Sequence, residues 1–260
     1  ANTTFVFVTP RTWDLPSKQI PVWLSEKRAL GEWKDVLCFD GVALEHWLDR
    51  HPAVASHYAR HEMGLAPVTG AYSASEFWNE FSTRFSPTLT EEVLLAGREE
   101  QSAELLRKLS EGGSRLAFAA DSADEVIAFV VATIRKATPE VRAFLEARTM
   151  VVDSTDAARH LVSRKDLIFL PRGQARTLVG VLSQSGPTVI SAGADEQRSQ
   201  HDVLARPTSS QLSKALVTMG LDESETYELA RRCGRSLAVL ARQIPSGTAQ
   251  PPEWLGKSES

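Results

Sequence analysis

Two groups of residues have the types and spacings of a metal site. Glu32-Trp33-Lys34, with Asp14 upstream, has the E-x-K form used by metal-dependent nucleases. In such a site the two carboxylates hold a divalent ion, and the lysine steadies the attacking hydroxide or the phosphate. The plain alternative is a solvated turn, because the triplet follows Gly31 at the entrance of a strand pattern. His57 and His61 are four residues apart and would share one face of a helix, as metal ligands can. His61-Glu62 also begins an H-E-x-x-H pattern, but Leu65 stands where the second histidine belongs and Gly64 would break the helix. With no third ligand in view these read as surface histidines, and the sequence assigns no metal and no cofactor.

A third group is defined by what it lacks. The apolar run Leu116-Ala117-Phe118-Ala119 leads into Asp121-Ser122-Ala123-Asp124-Glu125 and then an apolar helix pattern. A phosphate loop at such a strand–helix junction needs G-x-x-x-x-G-K-[ST]. Its glycines let backbone N–H groups wrap the phosphates, its lysine neutralises their charge, and its hydroxyl holds Mg²⁺. Here Asp121 and Ser122 occupy the degenerate phosphate-loop position, with neither glycine nor lysine, and the acids would repel a triphosphate. Asp121 or Ser122 is instead predicted to cap the helix 123–135, with Asp124 and Glu125 in its first turn. The acid expected after the third strand is missing too, since Pro171-Arg172-Gly173 follows Leu167–Leu170. Asp153 ends the second strand and is expected to cap the helix starting at Thr155 or Asp156. Ser191-Ala192-Gly193 after the fourth strand offers no γ-phosphate sensor.

Arg231, Arg232, Arg235 and Arg242 make a basic group near the end of the chain. It reads as a solvated face, or as a contact for an acidic protein or a nucleic-acid backbone. Arg231 and Arg235 share a helical face only if Gly234 leaves the helix intact.

The elements that must position these residues follow from the apolar periodicity. Residues 1–64 read β-α-β-α with a further helix from Pro52, which makes half a sheet that upstream sequence would complete. Residues 65–89 are a linker and a helix opened by the capping box Ser73-Ala74-Ser75-Glu76. That helix carries the aromatic stripe Phe77, Trp78, Phe81 and Phe85, which suits core or inter-domain packing. Residues 90–206 alternate short apolar strands (Leu116–Ala119, Thr149–Val152, Leu167–Leu170, Thr188–Ile190) with helices, as expected of a parallel sheet covered on both faces. Residues 207–246 are helices only, predicted to dock through Leu212, Leu216, Leu229, Leu237 and Leu240, and 247–260 start a new segment.

The composition fits this α/β reading: 260 residues, 42% hydrophobic and 24% charged, with a formal charge of -4. That charge gives no global attraction to nucleic acid. No apolar run approaches the roughly 18–20 residues of a membrane span. Cys38 and Cys233 lie far apart in apolar patterns and read as buried free thiols of a reducing compartment, so the cytoplasm is the expected location.

Leu95-Ala96-Gly97-Arg98-Glu99-Glu100, followed by Leu105, Leu106 and Leu109, resembles the G-R-x-x-E…L…L element ahead of the first strand in STAND-class P-loop ATPases, relatives of the NACHT and AAA+ groups. The four strands and the tail Arg231–Leu240 are similar to the body and helical lid of that class. The resemblance covers about Thr90 to Ile244, and it implies a P-loop NTPase-like fold whose phosphate loop is lost. Phe5–Arg11, Trp33–Val36 and Leu44–Leu48 resemble the closing half of a restriction-endonuclease-like, PD-(D/E)XK-type domain. The two together imply a non-catalytic regulatory or scaffolding fragment of a bacterial multidomain protein of defence or signalling, whose partners are other domains of the same polypeptide. The alternatives are a metal-dependent nuclease fragment and an ATPase module with non-standard phosphate binding.

Overall fold

The chain opens with β1 (Thr4–Val8), α1 (Ile20–Ala29), β2 (Asp35–Phe39) and α2 (Gly41–Arg50) in a computed structural model that describes residues 2–13, 19–63, 70–112, 115–161, 167–184, 186–193 and 202–246. β1 and β2 pair in parallel, from Thr4 opposite Asp35 to Val8 opposite Phe39, as a separate two-stranded sheet. Asp40 ends β2 and starts α2: its carboxylate accepts the N–H groups of Ala43 at 2.9 Å and Trp13 at 3.1 Å. Phe7, Trp13 and Trp23 cluster beside β1 with ring centroids 5.6–6.1 Å apart. Cys38 is half-buried and Cys233 buried, and both are free thiols.

α3 (Pro52–His61) follows, with proline at its start, where the missing N–H costs nothing. It packs on the second unit: Ala53 is buried in that unit's core, and its N–H donates to the Ala147 carbonyl at 3.3 Å.

The second unit begins with β3 (Ala71–Ser73) and α4 (Ala74–Ser82). The predicted capping box is formed, with Ser73 Oγ accepting from the Glu76 N–H at 3.2 Å and Glu76 Oε2 accepting from the Ser73 N–H at 2.7 Å. Next come α5 (Glu91–Leu95), α6 (Glu99–Glu111), β4 (Arg115–Ala119), α7 (Ala123–Arg135), α8 (Pro139–Glu146), β5 (Thr149–Val152), α9 (Thr155–Leu161) and β6 (Ile168–Pro171). A 3₁₀ segment, Gly173–Leu178, runs into α10 (Val179–Gln184). β7 (Thr188–Gly193) and the two-residue β8 (Asp202–Val203) complete a six-stranded sheet in the order β3-β5-β6-β7-β4-β8.

The all-parallel sheet expected from the sequence needs one correction: the sheet is mixed. Five strands are parallel, but β3 runs antiparallel on the edge, Ala71 opposite Val152. Three residues are too few to show a period, so this strand was hidden inside what reads as a linker.

Helices cover both faces of the sheet. On one face Leu116, Phe118, Val151, Leu170 and Ile190 share a core with α4, α5, α6 and α7. On the other, Met150, Val152, Phe169 and Val189 pack with α9, Ala175 and Leu182. α7 is the middle of the unit: every residue from Glu125 to Ile134 is buried, which explains a helix apolar all round. The aromatic stripe joins the same core, with Phe77, Trp78, Phe81 and Phe85 all buried.

The helical lid, α11 (Ser209–Val217), α12 (Glu223–Arg232) and α13 (Leu237–Gln243), docks on that core through Leu212, Leu216, Leu229 and Leu240, with Leu237 half-buried against it. Gly97 makes the docking close. Its φ is +69°, and a Cβ there would stand 3.0 Å from Gln211 Oε1 and 3.1 Å from Pro207 Cα. No described helix is long and apolar enough to cross a membrane.

Candidate functional site

The turn from β4 into α7 lies at the carboxyl end of an internal parallel strand, the edge where open α/β sheets place their ligands. Ser122 closes it as the N-cap of α7, its Oγ accepting the Glu125 N–H at 3.1 Å. Asp121, the other candidate for the cap, pairs elsewhere. Four arginines, each from a different connection, meet the acids of this turn. Arg172, just after β6, donates Nε and Nη2 to the two oxygens of Asp124 at 2.9 and 3.0 Å. Arg84, just after α4, donates to Asp124 Oδ2 at 3.1 Å. Arg98, ahead of α6, donates to Glu125 Oε1 at 2.6 Å, and Arg206, ahead of α11, to Asp121 Oδ1 at 2.6 Å.

The aromatic stripe supports two of these arginines, and Phe129 of α7 supports a third. Arg172 lies over Phe77 at 5.8 Å, Arg84 over Phe81 at 5.4 Å, and Arg98 over Phe129 at 5.9 Å. Cation–π contact of this kind helps hold a guanidinium that has lost part of its water. The acids in turn sit at the positive end of the α7 dipole. Both sets of charges are thus compensated within the chain.

The Arg98–Glu125 pair is the deepest part of the ring, with side chains 6% and 4% exposed. Burial pushes the Glu125 carboxyl up, and the Arg98 guanidinium opposes the shift. Its second oxygen, Oε2, is buried with no hydrogen-bond partner among the described residues. Arg98 also donates to the carbonyls of Ala205 at 2.7 Å and Leu94 at 3.2 Å, so one side chain ties α5, α7 and the strand leading to the lid. Gln101 adds two bonds to that strand, with Val203 and Ala205. Between this pair and the lid residues Arg235, Ser236 and Leu237 the structure encloses about 10 Å³, room for about one water molecule.

Asp153 extends the ring outward, 3.8 Å from Arg172. Burial pushes its carboxyl up, while Arg172 and a hydrogen bond with Tyr72 pull it down. The expectation that Asp153 caps the next helix is corrected here. Ser154 Oγ accepts the Ala157 N–H at 3.1 Å and does that work, while Asp153 faces Tyr72 and Arg172.

The other residues singled out in the sequence lie apart from this ring. Glu32 and Lys34 are exposed in the bend before β2, where the Lys34 N–H donates to the Thr3 carbonyl, and Asp14 lies outside the described residues. His57 is exposed on α3, and the side chain of His61 lies outside the described set. Among the described residues no group of three His, Cys, Asp or Glu side chains could hold a metal ion. Arg231, Arg232, Arg235 and Arg242 are all exposed. α12 ends at Arg232 and α13 starts at Leu237, with Gly234 and Arg235 at φ of 59° and 63°, so Arg231 and Arg235 share no continuous helical face.

The four ring arginines were not read as functional from the sequence. Three carry a faint signal, since Gly97-Arg98, Pro171-Arg172-Gly173 and Arg206-Pro207 each place an arginine beside a chain-turning residue at an element boundary. Arg84 carries none. The chain matches no protein family, no curated protein and no solved structure in comparisons with each.

Proposed function

We propose that residues 70–246 form a non-catalytic, P-loop-type regulatory or scaffolding module that holds neighbouring domains of a bacterial multidomain protein in a fixed arrangement. The observation that carries this reading is the arginine–carboxylate ring. Asp121, Asp124 and Glu125 stand at the helix N-terminus, where a nucleotide's phosphates stand in active P-loop proteins, and the arginines that could bind an anion are paired with them. Carboxylate and phosphate satisfy the same donors, so an occupied ring leaves an incoming phosphate to compete with tethered acids.

In this reading the ring acts as a mechanical tie. It joins the ends of α4 and β6, the start of α7, and the strand leading into the lid, and so holds body and lid together. Thermal melting with and without MgATP tests it. A ligand that binds only the folded state raises the melting temperature by mass action. An unchanged melting temperature at millimolar MgATP is expected, and a rise that requires Mg²⁺ would favour the ATPase alternative.

A further inference from the structure

We propose that Arg84 is a coupling residue, through which the chain leaving the lid and the acids at the start of α7 hold or release each other. The proposal rests on the reading of the ring as a mechanical tie, and it adds the place from which that tie is worked. After α13 the chain returns to the body and lies against the connection between α4 and α5. The Ser86 N–H donates to the Ile244 carbonyl at 3.0 Å, and the Ser246 N–H donates to the Arg84 carbonyl at 3.0 Å. Between these two bonds Phe85 and Pro245 form an isolated antiparallel bridge. The Arg84 side chain belongs to the ring, with Nη1 donating to Asp124 Oδ2 at 3.1 Å and Nη2 to Glu80 Oε1 at 2.6 Å. One residue therefore holds the exit of the lid with its carbonyl and the first turn of α7 with its guanidinium.

Packing ties the two halves of Arg84 together. Its guanidinium is 15% exposed and lies 5.4 Å over the Phe81 ring. Phe81 in turn is 6.0 Å from Phe85, the buried residue of the clip. Close-packed side chains of this kind transmit a displacement rather than absorb it. The clip is the part suited to open, because it is two hydrogen bonds beside an exposed Pro245, whereas α7 is buried along most of its length. Local opening starts at surface contacts of that sort and spares the core. The entry to the lid is held separately, by Arg98 on the Ala205 carbonyl and Arg206 on Asp121, so opening the clip moves the exit alone. Displacing residues 244–246 removes the partner of the Arg84 carbonyl and loosens the arginine from Asp124, which keeps its fork with Arg172. The ring is weakened by one arm and not dismantled. Coupling of this kind is reciprocal, so loss of the Asp124 carboxylate must loosen the clip in return.

Nuclear magnetic resonance on the full chain tests this from both sides. Ser246→Pro removes one N–H of the clip and touches nothing in the ring. The two Nη groups of Arg84 are held by different carboxylates, so rotation about its Nε–Cζ bond reports its grip on Asp124. Rotation about fivefold faster than in the parent is expected, the effect of one lost hydrogen bond. Asp124→Ala approaches from the ring and covers the case in which the proline variant misfolds. It should make the Ser86 and Ser246 amide protons exchange with solvent about fivefold faster. Parent-like rotation in a folded Ser246→Pro, or parent-like amide exchange in Asp124→Ala, would overturn the coupling. With a melting temperature still indifferent to MgATP, either result would strike the coupling and leave the reading of the ring standing.

Discussion

Arg172 holds Asp124 through two parallel hydrogen bonds of 2.9 and 3.0 Å, joining residues 48 positions apart in the chain. The arginine leaves the end of β6, the aspartate opens α7, and both are largely shielded, at 23% and 13% exposed. A planar guanidinium can make that fork, and a lysine ammonium cannot. Arg172→Lys is therefore expected to cost about 1.5–3 kcal/mol, the scale of a charge-assisted hydrogen bond lost from a shielded site. Urea denaturation measures it, and a loss below about 0.5 kcal/mol would mean the fork is incidental.

The buried pair should behave differently when cut and when replaced. Removing one partner of Arg98–Glu125 strands the other charge, so Arg98→Met or Glu125→Leu alone should cost about 3–5 kcal/mol. The double variant should recover most of that loss, because an apolar pair of similar volume needs no compensation. A double-mutant cycle by chemical denaturation separates the two outcomes. Additive losses would show that the pair does not act as a unit.

Much of the fold was legible because local chemistry and burial agreed. The four internal strands are short apolar runs, Ser73 and Glu76 have capping-box spacing, and the lid leucines fall at helical spacing around Gly220 and Gly234. The residue types narrowed the α7 cap to Asp121 or Ser122, and the structure gives it to Ser122. The ring could not, because Arg84, Arg98, Arg172 and Arg206 are 27 to 85 positions from their acids, and nothing local in a sequence encodes a pairing of that range. Asp153 was misassigned for a related reason. A cap is a local prediction, and the tertiary contacts with Tyr72 and Arg172 outweighed it.

Asp153 should leave a signature in the pH dependence of stability. Burial raises its carboxyl above the usual aspartate value of 3.8. A group raised in the folded state favours folding when protonated, so its contribution is full below that value and fades as pH rises through the raised one. Asp153→Asn should remove this fading and flatten the fall of the melting temperature between mildly acidic and neutral pH. An unaltered slope would show that the group titrates normally in the fold.

The lid should prove part of the same cooperative unit as the body. Leu240 on α13 is fully buried in the shared core. Leu240→Ala should cost about 2–5 kcal/mol, the usual range for a buried leucine. A single transition shifted to lower temperature is expected in calorimetry. A small early transition with the main one unmoved would mean that the lid unfolds alone.

The proposed reading has Asp121, Asp124 and Glu125 neutralise the arginines at the start of α7 and stand where a phosphate would otherwise bind. Titration calorimetry of MgATP into the intact chain, run alongside Asp124→Ala, tests this most directly. The account predicts no measurable heat of binding from the parent. It also predicts none from the variant, because removing one acid restores neither the glycines nor the lysine of a phosphate loop. Micromolar, Mg²⁺-dependent binding by the parent chain would contradict it.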